Sequence, residues 1–259
     1  QDLLFHYDFQ KVSDNIVSDC TGNGNDATLK NEATIYSMGK YNVLSLGNGA
    51  GHLDLGTKTG ETFASTDDFT ISMYYRVHEN APLDNNGRFL WTFSTLESNE
   101  ATNGLYTGYR LNAQRFATST GGYDNEKGME IGSQSIKGRW IHVAYTQTDT
   151  NGTFYINGVE RMTNNEMPVN TINFATKPIF NFIGRAAFAW DSYLVNTLVY
   201  DVRFYKKVLT PQEISTFSEL TDDLEKEYNF GSEGDRTQFN KCLTDAKETL
   251  SQDLSNYLK

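Results

Sequence analysis

Trp140-Ile141-His142-Val143-Ala144-Tyr145, followed nine residues later by Phe154-Tyr155-Ile156-Asn157-Gly158, is the stretch that decides the fold. Two runs rich in β-branched and aromatic residues flank Asp149-Thr150-Asn151-Gly152. That linking tetrapeptide is built from residues that tolerate positive φ, so the segment reads as a β-hairpin. The second run ends at once in Asn157-Gly158, another turn.

The same period of two recurs on both sides of the hairpin. Phe69, Ile71, Met73, Tyr75 and Val77 alternate with Thr70, Ser72, Tyr74 and Arg76. Phe89, Trp91 and Phe93 alternate with Leu90, Thr92 and Ser94, and Ile179, Asn181 and Ile183 with Phe180 and Phe182. Trp140, His142, Ala144 and Thr146 share one face of their strand; Ile141, Val143 and Tyr145 share the other. Several strands are apolar on both faces, as expected where loops partly cover one sheet of a sandwich. Polar clusters at 79–87, 97–104, 119–128 and 164–170 separate the strands, and no internal repeat is present. Helix is expected only late. Thr210-Pro211-Gln212-Glu213 is a start signal, with Thr as N-cap, Pro at the first position and Glu at the third. That helix is expected to run to about Tyr228, pause at Gly231-Ser232-Glu233-Gly234 and resume. Phe239, Leu243, Ala246, Leu250, Leu254 and Tyr257 then fall at helical spacing. Their stripe must bury against the sandwich or against a downstream domain.

Six segments, in order, resemble the bacterial laminin-G-like modules of the concanavalin A-like lectin and glucanase group. They are Phe5-His6-Tyr7-Asp8-Phe9 with Asp19-Cys20-Thr21-Gly22-Asn23-Gly24-Asn25-Asp26; Leu44-Ser45-Leu46-Gly47 with His52-Leu53-Asp54-Leu55; Asp68-Phe69-Thr70-Ile71-Ser72-Met73-Tyr74; the hairpin; Ile183-Gly184-Arg185; and Asp201-Val202-Arg203-Phe204-Tyr205 through Thr210. Tyr74 stands where the family usually has Trp. The resemblance implies an all-β protein, a jelly-roll β-sandwich of two antiparallel sheets over residues 1 to about 215. An acidic α-helical extension or linker is then expected over residues 216–259. Fold alone does not fix function.

Composition suits one large domain of this kind. The 259 residues are 38% hydrophobic, with 15 Tyr and 16 Phe to fill a sandwich core. Net charge of −11 argues against nucleic acid, which is bound through clustered Lys and Arg, and against an anionic membrane surface. Glu219, Asp222, Asp223, Glu225, Glu227, Glu233 and Asp235 concentrate acidity in one segment, which reads as a solvated helix and linker. No apolar run approaches the roughly 18–20 residues of a transmembrane helix, and no signal segment opens the chain. Gln1 in place of an initiator methionine is the start expected of a chain trimmed of a leader. A Cys20–Cys242 bridge would close a very long loop, worth up to about 4–5 kcal/mol; the alternative is two thiols that never meet.

Three kinds of site are legible. The resemblance implies a structural calcium ion where the Gly- and Asn-rich loop meets the first and last strands, with Asp8, Asp19, Asn25 and Asp201 as ligands. Tyr200 occupies a position that is often acidic in the family, and an Asx-turn is the plainer reading of the loop. The second is a sugar-binding surface. Pyranoses need flat aromatic faces with amide, carboxylate or guanidinium partners for their hydroxyls. Tyr106, Tyr109, Tyr123, Asp124, Arg185, Trp190 and Asp191 supply these on predicted loops and strand ends, with Asn103 and Asn125 nearby. Tyr123 and Trp190 are the leading candidates. The third is catalysis. Glycoside hydrolases on this fold carry Glu-x-Asp-x-x-Glu on one strand, and the chain has no such run; Glu126 and Glu130 come nearest. His6, His52, His78 and His142 lack metal-ligand spacing, and His142 is expected to be structural and bonded to backbone. The expected function is non-catalytic carbohydrate binding by a secreted or cell-surface module (extracellular, cell surface or periplasmic) serving bacterial glycan utilisation, with calcium as a structural cofactor. The alternatives are a glycoside hydrolase with a dispersed site and a structural or protein-interaction module beside a neighbouring domain.

Overall fold

The computed structural model describes residues 2–83, 86–230 and 233–257. The strands are β1 (Leu3–Tyr7), β2 (Val12–Ser13), β3 (Ile16–Val17), β4 (Ala27–Lys30), β5 (Thr34–Met38), β6 (Tyr41–Ser45), β7 (His52–Asp54), β8 (Phe69–Val77) and β9 (Phe89–Ser94). They continue with β10 (Tyr106–Arg110), β11 (Arg115–Ser119), β12 (Glu126–Glu130), β13 (Trp140–Thr148), β14 (Asn151–Ile156), β15 (Val159–Asn164), β16 (Phe180–Ile183) and β17 (Thr197–Tyr205). The helices are α1 (Gly56–Phe63), α2 (Asn170–Asn173), α3 (Pro211–Ser218), α4 (Leu220–Phe230) and α5 (Glu233–Tyr257).

Two antiparallel sheets stack as a jelly-roll sandwich. The first runs β15-β14-β13-β8-β17-β6-β5, with β1 added on β17; the second runs β12-β11-β10-β9-β16-β7-β4-β3-β2. The hairpin expected over residues 140–158 is β13–β14, paired from Val143↔Ile156 to Thr148↔Asn151. Its turn is therefore Asp149-Thr150, with Asp149 at φ 51°. Asn157 and Gly158 both take positive φ between β14 and β15, the requirement of a two-residue hairpin turn. Trp91, Phe93, Tyr109, Phe116, Tyr145, Phe154 and Phe204 fill the space between the sheets. Phe63 stacks on Phe93 at 4.3 Å, and Phe5 on Phe204 at 5.1 Å.

Every residue of β8 is buried, which alternation against solvent does not allow. The cause is helical cover. Ile71, Met73 and Tyr75 enter the core between the sheets, while Tyr74 and Trp140 form a second cluster with Met38, Val43 and Leu224 beneath α4. Ala144, Tyr155, Leu209 and Ile214 form another beneath α3. The capping box is present: Thr210 Oγ1 accepts from the Glu213 amide at 3.2 Å, and the Glu213 carboxylate accepts from the Thr210 amide at 2.7 Å.

The acidic segment is thus not a solvated linker through α4. Asp223 pairs with Lys40 at 2.6 Å and accepts from the Tyr41 hydroxyl. Glu225 accepts from Arg76 at 3.2 Å and from the Trp140 amide at 3.1 Å, and the Arg76 guanidinium lies 3.6 Å from the Tyr228 ring centroid. A half-exposed pair such as Lys40–Asp223 is worth roughly 0–1 kcal/mol. Burying Ile214 and Leu224 completely, at about 1.5–3 kcal/mol each, contributes more to docking. The boundary expected at 215 falls inside α3. The expected pause at 231–234 includes Gly231 and Ser232, which lie outside the described residues, as does the Phe239 side chain. On α5, Leu243, Leu250, Leu254 and Tyr257 are exposed rather than buried on the sandwich. Cys20 and Cys242 are free, exposed thiols, so the bridge is not formed. No helix among the described residues is long and apolar enough to cross a membrane.

Candidate functional site

The outer face of the nine-stranded sheet carries a cavity of about 240 Å³. Two irregularities in the backbone build it. The first is a bulge: Tyr109 pairs with Trp91 but Arg110 pairs with Phe89, leaving Leu90 as the extra residue. Leu90 and Trp91 stay in the core, and Phe89 is thrown onto the outer face. There it covers Gly108, where an added Cβ would sit 2.9 Å from the Phe89 ring. The second is Gly121-Gly122, at φ 149° and 81°, which turns the chain so that Tyr123 stands over the sheet. A Cβ on Gly122 would meet the Thr102 carbonyl at 2.8 Å. Ser119 Oγ fastens the turn, donating to the Gly122 carbonyl at 2.8 Å and lying 3.1 Å from the Gly104 carbonyl.

The opposite wall is the segment after β16. Ser98 N donates to Ala187 O at 2.8 Å, and Arg88 braces it through the Tyr193 carbonyl at 2.6 Å. Ala186, Ala187 and Phe188 pack with Phe89, Ala101 and Tyr106 as a small outer core. Trp190 leans on Phe188 at 5.5 Å between centroids. Trp91 and Trp140 are buried, whereas Trp190 is 52% exposed and Tyr123 63% exposed; both line the cavity. The floor is polar: Arg110, Arg115 and Glu126, with Asp191 at the wall. Glu126 accepts from Arg115 and from the Tyr106 hydroxyl. Burial pushes the Asp191 carboxyl up to about 6, with the Arg110 charge acting the other way. Burial and then Glu126 raise the Tyr106 hydroxyl well above its ordinary range.

The residues expected from sequence divide cleanly. Tyr123, Trp190 and Asp191 meet in the cavity. Tyr106 lies beneath it, edge-on to Phe188 at 5.0 Å, and holds Glu126. Asp124 is exposed on the turn beside Tyr123 but does not line the cavity. Arg185 is engaged elsewhere, paired with Glu97 at 2.9 Å and lying over Phe182. Tyr109 is a correction. It points into the core against Phe154 at 4.6 Å, because 106 and 110 occupy the outer face of β10 and 109 the inner. Sequence reading missed Phe89, Arg110, Arg115 and Phe188. Alternation along 106–110 and 115–119 signals the two arginines; nothing local signals Phe89. Glu126 and Glu130 both flank Arg115, the latter at 3.8 Å.

The residues that the family resemblance offered to calcium are already engaged. Asp19 Oδ1 accepts from the His6 and Thr21 amides and the Thr21 hydroxyl at 2.7–3.1 Å. Its Oδ2 accepts from the Asn25 amide and side chain at 3.2 and 3.3 Å. These bonds hold the Asp19 carboxyl below its usual range against the opposing effect of burial. Asn25 Oδ1 takes the Thr62 hydroxyl, Asp8 takes the Gln10 amide, and Asp201 lies 2.5 Å from His6 Nε2 and 3.0 Å from Arg203 Nε. Among the described residues no three His, Cys, Asp or Glu side chains are grouped to hold a metal. The donor set fits a hydrogen-bonded turn and not a cation that wants six to eight free oxygens. The His142 ring is buried with no partner on either nitrogen, so it is not bonded to backbone as expected. A larger cavity of about 490 Å³ opens beside α4, but Arg76, which lines it, is committed to Glu225 and Tyr228.

The sequence model of the concanavalin A-like lectin/glucanases superfamily matches residues 47–215. The chain belongs to that superfamily. Solved structures share this lectin/glucanase fold at low identity. Domain 4 of AbnA, a GH43 extracellular arabinanase from Geobacillus stearothermophilus solved with arabinotriose, is 20% identical over 83% of this chain and 98% of its own, with a TM-score of 0.64. Trypanosoma rangeli sialidase, solved with sialic acid, is 18% identical at a TM-score of 0.57; the match covers 86% of this chain and 33% of the sialidase. The binding domain of botulinum neurotoxin serotype D/C VPI 5993 is 14% identical at a TM-score of 0.63, over 84% of this chain and 51% of its own. The chain thus spans about a third of the sialidase and half of the toxin domain. No curated protein matches it in sequence.

Proposed function

We propose that this superfamily member is a non-catalytic carbohydrate-binding module of a secreted or cell-surface protein. It holds a sugar ring between Tyr123 and Trp190 above the polar floor of Arg110, Arg115 and Glu126. The observation that carries the reading is the convergence of two exposed aromatic rings, from segments far apart in sequence, on one cavity of about 240 Å³. Aromatic faces supply the apolar contact and the charged groups fix orientation, the usual composition of a small-ligand site. A fold-mate solved with arabinotriose and described as part of an extracellular enzyme supports both the ligand class and the setting. The test is a glycan array followed by titration calorimetry, in which Trp190→Ala or Tyr123→Ala weakens binding by about ten-fold or more while the fold persists. Calcium is a family expectation that the hydrogen bonding around Asp19 argues against.

Hydrolysis is the second reading, favoured by one feature. Asp191, with its carboxyl pushed up to about 6, shares the cavity with Glu126. A carboxyl protonated near neutrality is what a general acid requires. Glu126, however, already accepts from Arg115 and Tyr106, which leaves it poorly placed as a nucleophile. Release of reducing sugar by purified protein, lost in Asp191→Asn, decides for the enzyme.

A further inference from the structure

The two arginines of the cavity floor are not equivalent. Arg115 is neutralised by Glu126 and reaches toward Glu130 at 3.8 Å. Arg110 forms no such pair among the described residues, and its Nε is buried without a hydrogen-bond partner. A guanidinium carries five donors fixed in one plane and cannot shed its proton to escape burial. That covered nitrogen is out of a ligand's reach, so the donors on offer are the terminal nitrogens of a residue that lines the cavity. The ligand best matched to that fork is a planar carboxylate, which two parallel N–H groups bind at once. Trp190, Phe188 and Tyr123 line the same cavity as Arg110. Asp191 is near enough for its charge to be felt but is outside pairing distance.

We propose that the cavity takes a carboxylated sugar, with Arg110 clamping the carboxylate while Tyr123 and Trp190 hold the ring. This rests on the carbohydrate reading above and narrows it to acidic glycans. Uronic acids within a polysaccharide and sialic acids at a glycan end share the chemistry. Asp191 tunes the affinity. The charged and titratable groups around it in the cavity are Arg110, Arg115, Glu126 and Tyr123, and Arg88 braces its segment from below. Ionised, Asp191 offsets the Arg110 charge through space and repels an incoming carboxylate. Protonated, it does neither. Its carboxyl titrates near 6 while a sugar carboxylate stays charged at pH 5, so acidic sugars bind tighter at pH 5 than at pH 8.

The experiment is titration calorimetry of the full chain with a galacturonate tetramer, sialyllactose, their neutral counterparts (a galactose tetramer and lactose) and a sulfated galactan oligomer. The expected result is that one carboxylated probe binds about ten-fold or more tighter than its neutral counterpart. Arg110→Gln brings the two level and Arg110→Lys restores part of the preference, because a point charge cannot reproduce the fork. Asp191→Asn flattens the pH dependence, a readout that survives even if the Arg110 variants do not fold. Which carboxylated probe wins separates the polysaccharide from the terminal sugar. Neutral probes binding as well as acidic ones, with sensitivity to Trp190→Ala, overturn this inference and leave the carbohydrate reading standing. Preference for the sulfated probe alone overturns the carboxylate clamp. Silence from every probe overturns both.

Discussion

Trp190 and Tyr123 are more than half exposed and line the cavity, with Trp190 resting on Phe188, so truncation largely separates binding from stability. Trp190→Ala is expected to weaken glycan binding by about ten- to a hundred-fold, the scale of losing a central aromatic anchor. Its melting temperature should stay within about 1 °C, since exposed substitutions cost little. Calorimetry and thermal unfolding on the same sample check both halves. Tyr109→Ala is the inverse case. Removing a fully buried aromatic costs about 3–5 kcal/mol, and the variant should melt far lower through loss of core contacts with Trp91 and Phe154. The contrast also shows what was legible residue by residue. Tyr123, Trp190 and Asp191 stood out because aromatic and acidic residues in polar loops have no core to enter. Tyr109 misled because a tyrosine near a strand end reads the same whichever way it points. Phe89 was invisible, since only the bulge at Leu90 turns it outward.

The elements that matter most are α3 and α4, which turn the outer face of the eight-stranded sheet into a second interior. Thr210→Ala removes one half of the capping box and is expected to cost about 1 kcal/mol in chemical denaturation. His142 lies under this cover, 4.7 Å from Tyr74 and 5.6 Å from Phe217. Burial holds its imidazole down to about 3, so the folded protein binds that proton less readily than the unfolded chain. Stability from this group is therefore complete above the unfolded value near 6.5 and is lost as pH falls from there toward 3. His142→Phe should flatten the acid limb of melting temperature against pH between those values. A variant that tracks the wild type throughout would contradict the buried, unpartnered imidazole. The helix start was plain in Thr210-Pro211-Gln212-Glu213, because capping is local chemistry. Docking was not, because the acidic residues of α4 find Lys40, Arg76 and the Trp140 amide only across the folded sheet.

For the whole molecule the expectation is a sandwich that includes α3 and α4 but not α5. Ending the chain after Phe230 should leave the melting temperature unchanged, since Leu243, Leu250 and Leu254 are exposed on α5. Ending it after Thr210 should lower it sharply and promote aggregation, because Tyr74, Trp140 and Tyr155 would be uncovered. Adding calcium or a chelator should leave the melting temperature in place, as the Asp19 oxygens already accept five protein donors.

By itself the chain's order of residues determined the sandwich. Period-two alternation, turn residues that tolerate positive φ and the capping box are all local consequences of side-chain chemistry. Tertiary structure alone decided the site and its cover. Phe89, Arg110, Tyr123 and Trp190 become neighbours through a bulge, a glycine turn and a packed segment, and α4 is engaged by strands and a turn 85 to 187 residues earlier. Alternation within a strand assigns residues to opposite faces, but which face meets solvent and what lies over it depend on elements distant in the chain.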